Sequence, residues 1–144
     1  MNDADFDALA LAVDERVLAL APGLDPARLF GVRLRPGGFV LVPCWSGVAR
    51  ELPAYARPPD GSTAIALETS GWAAPLDDCA AGVRPSEHPQ RRRVHQTILV
   101  YGDDCDVAVL RYAAEAPQVV RGGRGAVFDR LVACWSRRRE AGVA

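Results

Sequence analysis

The amino-acid sequence predicts an α+β domain, in which a mostly antiparallel five-stranded sheet carries a helix at each end of the chain. Apolar residues recur at helical spacing near both termini, and runs rich in β-branched and aromatic residues lie between them. The order helix, hairpin, strand, hairpin, helix contains no βαβ unit, which argues against a Rossmann-type fold. We expect one domain over residues 1–144, with both terminal helices packed on one face of the sheet.

The first predicted helix begins where Asn2 or Asp3 can cap its unpaired amides. Its apolar residues recur three, four and seven positions apart, as expected of one buried helical face. They are Phe6, Leu9, Ala10, Val13, Val17 and Leu20. Pro22 and Gly23 are expected to end the helix, because neither residue favours a helical backbone.

A hairpin follows, with Phe30–Leu34 as its first strand, Phe39–Val42 as its second and Pro36-Gly37-Gly38 as the turn. The second strand is apolar throughout, which predicts that it is covered on both faces. Pro43 is expected to end it, since proline lacks the amide that a strand ladder requires.

The third strand is predicted at Thr63–Thr69 and is expected to break at Ser70-Gly71. A second hairpin pairs Val94–Tyr101 with Val107–Tyr112, both rich in strand-forming residues. A flexible link through Pro117 then leads to the final helix. Profilin-like sensor domains share this order of elements, an analogy that carries no function.

The final helix is predicted over Ala126–Arg138. Its expected core face comprises Val127, Phe128, Leu131, Val132, Cys134 and Trp135.

Composition limits the function classes. The 17 basic residues are all arginine and face 18 acidic residues, for a formal net charge of −1. This balance argues against a strongly basic nucleic-acid-binding protein. The absence of lysine is typical of a GC-rich genome and selects no function. No apolar run reaches the roughly 20 residues that a membrane span needs, and the acidic N-terminus lacks a secretory signal pattern. We therefore expect a cytoplasmic protein with no membrane partner.

The cysteines are spread along the chain and are predicted to be free thiols in a reducing compartment. They are Cys44, Cys79, Cys105 and Cys134. A zinc site would combine Cys79, His88, His95 and Cys105, but their wide separations do not match the short ligand pairs of structural zinc sites. No metal and no cofactor are predicted.

Residues 76–92 form the longest irregular stretch, and long loops in small domains are often functional. Trp72 precedes this loop. Its large ring favours a lid over the core, and the alternative is a pocket wall built with the loop. The residues predicted to contact a protein partner or a small ligand are Trp72, His88, Arg91 and Arg93. The leading prediction is therefore a non-enzymatic binding domain.

Two other function classes stay open. A small hydrolase-like enzyme would use Glu68, Asp77 and His88, because carboxylates beside a histidine can transfer protons. A homo-oligomeric assembly protein, in its simplest form a homodimer, would pair through sheet edges or the terminal helix.

A further hypothesis concerns the segment Arg121–Gly125, which precedes the final helix. Backbone amides at a helix start, assisted by Arg121 and Arg124, can bind an anion. The segment does not match a phosphate-binding loop, and no strand leads directly into it, so a solvated connector is favoured.

Residues 69–75 (Thr-Ser-Gly-Trp-Ala-Ala-Pro) and 84–94 (Arg-Pro-Ser-Glu-His-Pro-Gln-Arg-Arg-Arg-Val) resemble a pattern in small uncharacterised actinobacterial proteins. The resemblance covers the middle of the chain and carries over no activity and no catalytic residue. It implies a bacterial, cytoplasmic, stand-alone domain, and it points to the same loop as the composition does.

Overall fold

The computed structural model of the chain describes residues 1–53, 55–74, 82–102 and 104–141, which form the predicted α+β fold. The helices of this part are α1 (Asp3–Ala19) and α2 (Ala126–Ala141). The strands are β1 (Ala27–Arg35), β2 (Gly38–Gly47), β3 (Ala64–Ala73), β4 (Arg92–Gly102), β5 (Cys105–Arg111) and β6 (Gln118–Val120). Single turns of 3-10 helix occur at Ala49–Glu51 and Pro85–Glu87.

The sheet has six strands within the described residues, one more than predicted, in the order β2-β1-β3-β4-β5-β6. All neighbouring strands are antiparallel. The additional strand, β6, lies in the segment predicted to be a flexible link. Val119 pairs with Val109, and Val120 pairs with Ala108. Three residues are too few to show the alternation by which a strand is identified in sequence.

The helices pack on opposite faces of the sheet, so the expectation of a single helical face is wrong. The core under α1 comprises Leu9, Ala10, Val13, Val17, Phe30, Val32, Ala64, Ala66, Leu99, Val107 and Val109. The core under α2 comprises Ala27, Leu29, Leu52, Ala56, Ile65, Leu67, Ile98, Val100, Leu131, Cys134 and Trp135. These sides are termed the α1 face and the α2 face. Successive strand residues point to opposite faces, and continuous apolar runs such as Ala64–Leu67 therefore need cover on both.

The predicted buried faces of both helices are largely confirmed. The buried residues of α1 include Leu9, Ala10, Val13 and Val17. Those of α2 include Leu131, Cys134 and Trp135. Leu20 instead follows α1 and is exposed. Asn2 is the cap, since its side chain accepts from the Asp5 amide at 3.0 Å and the Asp5 carboxylate accepts from the Asn2 amide at 2.9 Å. Neither helix of the described chain has the length and apolar character of a membrane span.

β2 differs from its prediction in extent and in burial. It continues through Pro43 to Gly47, with a bulge at Cys44. Proline is tolerated there because β2 is an edge strand. The edge position also leaves the strand partly uncovered, with Val40 exposed. The prediction that β2 is covered on both faces is therefore wrong.

β3 likewise passes through the predicted break at Ser70-Gly71 and ends at Ala73. Its pairing with β1 stops at Thr69, whereas its pairing with β4 continues to Ala73. β4 pairs with β5 only from His95 onward. The far ends of β3 and β4 therefore form a two-stranded ribbon that extends past the neighbouring strands.

Candidate functional site

Trp72 lies on this two-stranded ribbon, with 39 % of its surface exposed. The favoured interpretation of Trp72 as a lid over the core is therefore wrong. The guanidinium carbons of Arg91 and Arg93 lie 4.9 and 5.0 Å from the centre of its ring. Both distances fall within the roughly 6 Å range of cation–π contacts. These three residues are termed the Trp72 surface.

Backbone geometry holds both arginines in place. Arg93 is directly opposite Trp72 in the register of β3 and β4. Arg91 follows a tight turn, in which its amide donates to the His88 carbonyl at 3.1 Å and its side chain donates to the same oxygen at 3.2 Å. The Trp72 surface is thus formed by a strand pair and a fixed turn.

His88 shapes this turn. Sequence reasoning predicts it as a contact residue, but only 5 % of it is exposed. Its Nδ1 accepts from the Gln90 amide at 2.9 Å. A buried ring that accepts from the backbone two residues later stabilises the turn that delivers Arg91. His88 is therefore a positioning residue for the Trp72 surface.

Strand alternation divides the arginine run at residues 91–93. Arg92 points to the opposite side of the ribbon from Arg93. Its guanidinium carbon lies 4.2 Å from the centre of the Tyr112 ring, and its Nη2 lies 2.6 Å from Glu115. Arg92 is therefore already paired. Within the described chain, Arg91 and Arg93 have no carboxylate partner, and both are exposed.

A half-buried polar cluster lies beyond Trp72 along the α1 face. Glu68 Oε1 accepts from Arg28 Nε at 2.6 Å, and Glu68 Oε2 lies 3.0 Å from His95 Nε2. Desolvation alone would raise the pKa of Glu68, but the hydrogen bonds from Arg28 and His95 outweigh it and lower that pKa. Glu68 is therefore ionised near neutral pH, and both of its carboxylate oxygens have partners within the protein.

Asp14 of α1 completes the cluster. It is fully buried and accepts from Thr97 Oγ1 at 2.7 Å and from Arg111 Nε. Its Oδ1 also lies 3.7 Å from His95 Nδ1. The cluster joins α1 to four strands, and both carboxylates have arginine partners. This arrangement is typical of a structural ion-pair network.

The hydrolase hypothesis named Glu68, Asp77 and His88. The histidine that contacts Glu68 is His95, whereas His88 binds the Gln90 amide. Asp77 lies outside the described residues. Sequence reasoning missed Asp14 and His95 as members of this cluster. A signal was present, because Asp14 interrupts the apolar face of α1, and His95 and Thr97 lie two positions apart on one side of β4.

The predicted anion-binding segment is largely engaged within the protein. Arg121 donates to the Asp3 carbonyl at 2.9 Å and also contacts Asp7 and Tyr101. The Gly123 amide donates to Asp106 at 2.8 Å. Arg121 therefore ties the segment to α1. Arg124 is exposed and has no ion pair within the described chain.

Both edge strands of the sheet have features that disfavour the hypothesis of a homodimer formed through sheet edges. β2 carries a proline and a bulge, and β6 is only three residues long. Both features are known to limit pairing between sheet edges.

The described cysteines, Cys44, Cys105 and Cys134, are free thiols. Burial raises the pKa of Cys44 and of Cys134. No group of three or more His, Cys, Asp or Glu side chains among the described residues has the geometry of a metal site. Cys79, one member of the considered zinc quartet, lies outside the described residues.

Comparison with protein-family models, with curated proteins and with solved structures found no match for this chain.

Proposed function

We propose that this protein is a non-catalytic binding domain that recognises an acidic segment of a partner protein through the Trp72 surface. The observation that carries the proposal is the exposed Trp72 ring, contacted by two guanidinium groups that lack carboxylate partners in the described chain.

The chemistry of the Trp72 surface favours carboxylates. A guanidinium group stacked on a ring keeps its N–H edge available, and that edge matches the two oxygens of a carboxylate. Stacking also limits the motion of the arginine side chains before a partner arrives, which lowers the entropy cost of binding. The indole ring adds a large apolar contact of the kind common in binding hot spots.

Charge favours a protein partner over a nucleic acid. The net charge of the chain is −1, and Arg92 is neutralised by Glu115 on the other side of the ribbon. Arg91 and Arg93, which have no carboxylate partner among the described residues, suit a short acidic segment, whereas a nucleic acid would need a longer basic track.

The test is fluorescence anisotropy with a labelled peptide rich in Asp and Glu. A matched peptide replaces every acidic residue by its amide, and a single-stranded RNA of equal length serves as the third probe. We expect the acidic peptide to bind, and its affinity to fall as salt rises. Arg93→Gln and Trp72→Ala should each weaken binding by about tenfold. Arg35→Gln, at the exposed last residue of β1, is the matched control and should bind normally.

Circular dichroism and urea unfolding verify that each variant is folded. Equal binding of the acidic and the amide peptide would overturn the proposal. If the RNA bound more tightly than the acidic peptide, and its binding depended on the same residues, the proposed partner would be a nucleic acid and not an acidic protein. If folded Arg93→Gln and Trp72→Ala variants bound the acidic peptide with full affinity, the assignment of binding to the Trp72 surface would be wrong.

We also propose a cytoplasmic location, supported by the exposed thiol of Cys105, which a reducing compartment preserves. Immunodetection in the cytosolic fraction of cells that produce the protein tests it. Recovery from the medium or the envelope would contradict it.

A further inference from the structure

A groove with a volume of about 530 Å³ opens on the α2 face, on the part of the sheet that α2 does not cover. Its floor is formed by β3, β4 and β5 and includes Gly71, Ile98, Ala108 and Leu110. The groove exists because Gly71 and Ala108 place little or no side chain on the floor. A Cβ atom added to Gly71 would meet no atom within 4 Å.

One wall of the groove is fixed by three separate contacts. The segment 121–125 is tied at Arg121 to α1 and at Gly123 to Asp106. The Phe128 ring packs so closely on Gly123 that any side chain there would overlap it. A preformed apolar cleft of several hundred Å³ is the usual form of a small-molecule site.

Charge at the rim indicates the class of ligand. Arg50, from the 3-10 turn after β2, and Arg124, from the segment before α2, both line the groove. Neither has an ion pair within the described chain. The lining carboxylate, Asp106, already accepts from the Gly123 amide. Arg121 also lines the groove, but it is bound to α1. The other two arginines, above an apolar floor, complement a molecule with an apolar body and an acidic head.

We propose that the α2-face groove binds a small apolar molecule that carries a carboxylate. The apolar body lies on Gly71 and Ile98, and the carboxylate lies between Arg50 and Arg124. This site is on the other side of the sheet from the Trp72 surface, and its ligand does not depend on the proposed protein partner.

The test is a titration of isotope-labelled protein with octanoate, followed by amide chemical shifts in the NMR spectrum. Octanol, which has the same chain without the charge, is the matched ligand. We expect saturable one-to-one binding of octanoate, with shifts at the floor residues. Arg124→Gln should weaken octanoate binding by about tenfold and octanol binding by less than about twofold. Arg35→Gln, outside the groove, should leave both unchanged.

Gly71→Leu fills the floor and should abolish binding of both ligands. Arg50→Gln is a second exposed variant that does not touch the core, so the proposal stays testable if the leucine variant fails to fold. Absence of saturable octanoate binding would overturn the proposal. Wild-type affinity in a folded Gly71→Leu variant would also overturn it. If octanoate and octanol bound with equal affinity, and neither arginine variant changed that affinity, the proposed recognition of a carboxylate would be wrong.

Discussion

Glu68 Oε2 and His95 Nε2 lie 3.0 Å apart across β3 and β4, although Glu68 is directly opposite Thr97 in the register. The contact is therefore diagonal, and it brings the Arg28–Glu68 pair of β1 and β3 to the buried Asp14 of α1. Trp72 follows Glu68 by four residues on the same side of β3. The cluster consequently fixes the base from which the Trp72 surface extends.

Glu68→Gln should lower the free energy of unfolding by about 1 to 3 kcal/mol at neutral pH, because it removes two charge-assisted hydrogen bonds. The folded state lowers the pKa of Glu68 from its usual value of 4.5. A lowered carboxyl pKa stabilises the protein above the unfolded value, and this contribution is lost as pH falls through the folded value. The difference between wild type and variant should therefore shrink below about pH 4.5.

Urea unfolding at a series of pH values measures this effect. Glu51→Gln, which changes an exposed carboxylate, is the control and should change stability by less than about 0.5 kcal/mol. A difference between wild type and Glu68→Gln that grows as pH falls would contradict the assignment.

Asp14→Asn should destabilise the protein by about 3 kcal/mol or more, because it leaves Arg111 beside a buried neutral group. Glu15→Gln changes the next residue of α1, which is exposed, and should be nearly neutral. The midpoints of thermal unfolding of these two variants compare a buried and an exposed carboxylate on the same helix. Equal midpoints would show that the buried pair contributes nothing to stability.

Local sequence patterns predicted both helices and the second hairpin, and they limited the cap of α1 to Asn2 or Asp3, because each feature is set by local spacing. They failed where tertiary context decides. Pro43 is tolerated inside a strand because β2 is an edge, and β3 continues through Gly71 because its pairing with β4 extends to Ala73. Continuous apolar runs indicate a strand that is covered on both faces, a signal that was applied to β2 but is met by Ile65–Leu67 of β3.

The candidate site was predictable in part. Exposed Trp72, Arg91 and Arg93 come together as neighbours in sequence or in register. The burial of His88 was not predictable, because a loop histidine has no periodicity that shows which way it points. The partnership of Asp14 with β4 and β5 joins residues more than 80 positions apart, a distance over which local patterns carry no information.

Gly31 of β1 and Gly71 of β3 both lie within strands, but their surroundings differ. A Cβ on Gly31 would lie 2.7 Å from Pro59 Cδ and from Ser62 Oγ, whereas one on Gly71 meets open space. Gly31→Ala should therefore destabilise the protein by about 1 to 3 kcal/mol. Gly71→Ala should be neutral or stabilising by up to about 1 kcal/mol, since it reduces the entropy of the unfolded chain. Urea midpoints in the reverse order would refute this packing.

The thiols should differ in reactivity. Cys105 is exposed, whereas Cys134 is buried and its pKa is raised by burial. The assay uses a Cys79→Ser variant, so that only Cys44, Cys105 and Cys134 can react. Because the thiolate is the reactive form, Cys105 should react with Ellman's reagent much faster than Cys44 or Cys134 in the folded protein. All three should react alike in urea. Loss of the fast phase in Cys105→Ser identifies the residue, and its persistence there would contradict the assignment.

Trp72 and Trp135 separate binding from folding. Trp135 is 2 % exposed in the α2-face core, and Trp135→Ala should cost about 3 to 5 kcal/mol. Trp72→Ala removes a half-exposed ring and two cation–π contacts, so it should cost less than about 2 kcal/mol. Urea unfolding followed by circular dichroism measures both without depending on tryptophan fluorescence. If Trp72→Ala destabilised the protein as much as Trp135→Ala, then Trp72 would be a core residue, and its loss could not be used to test binding.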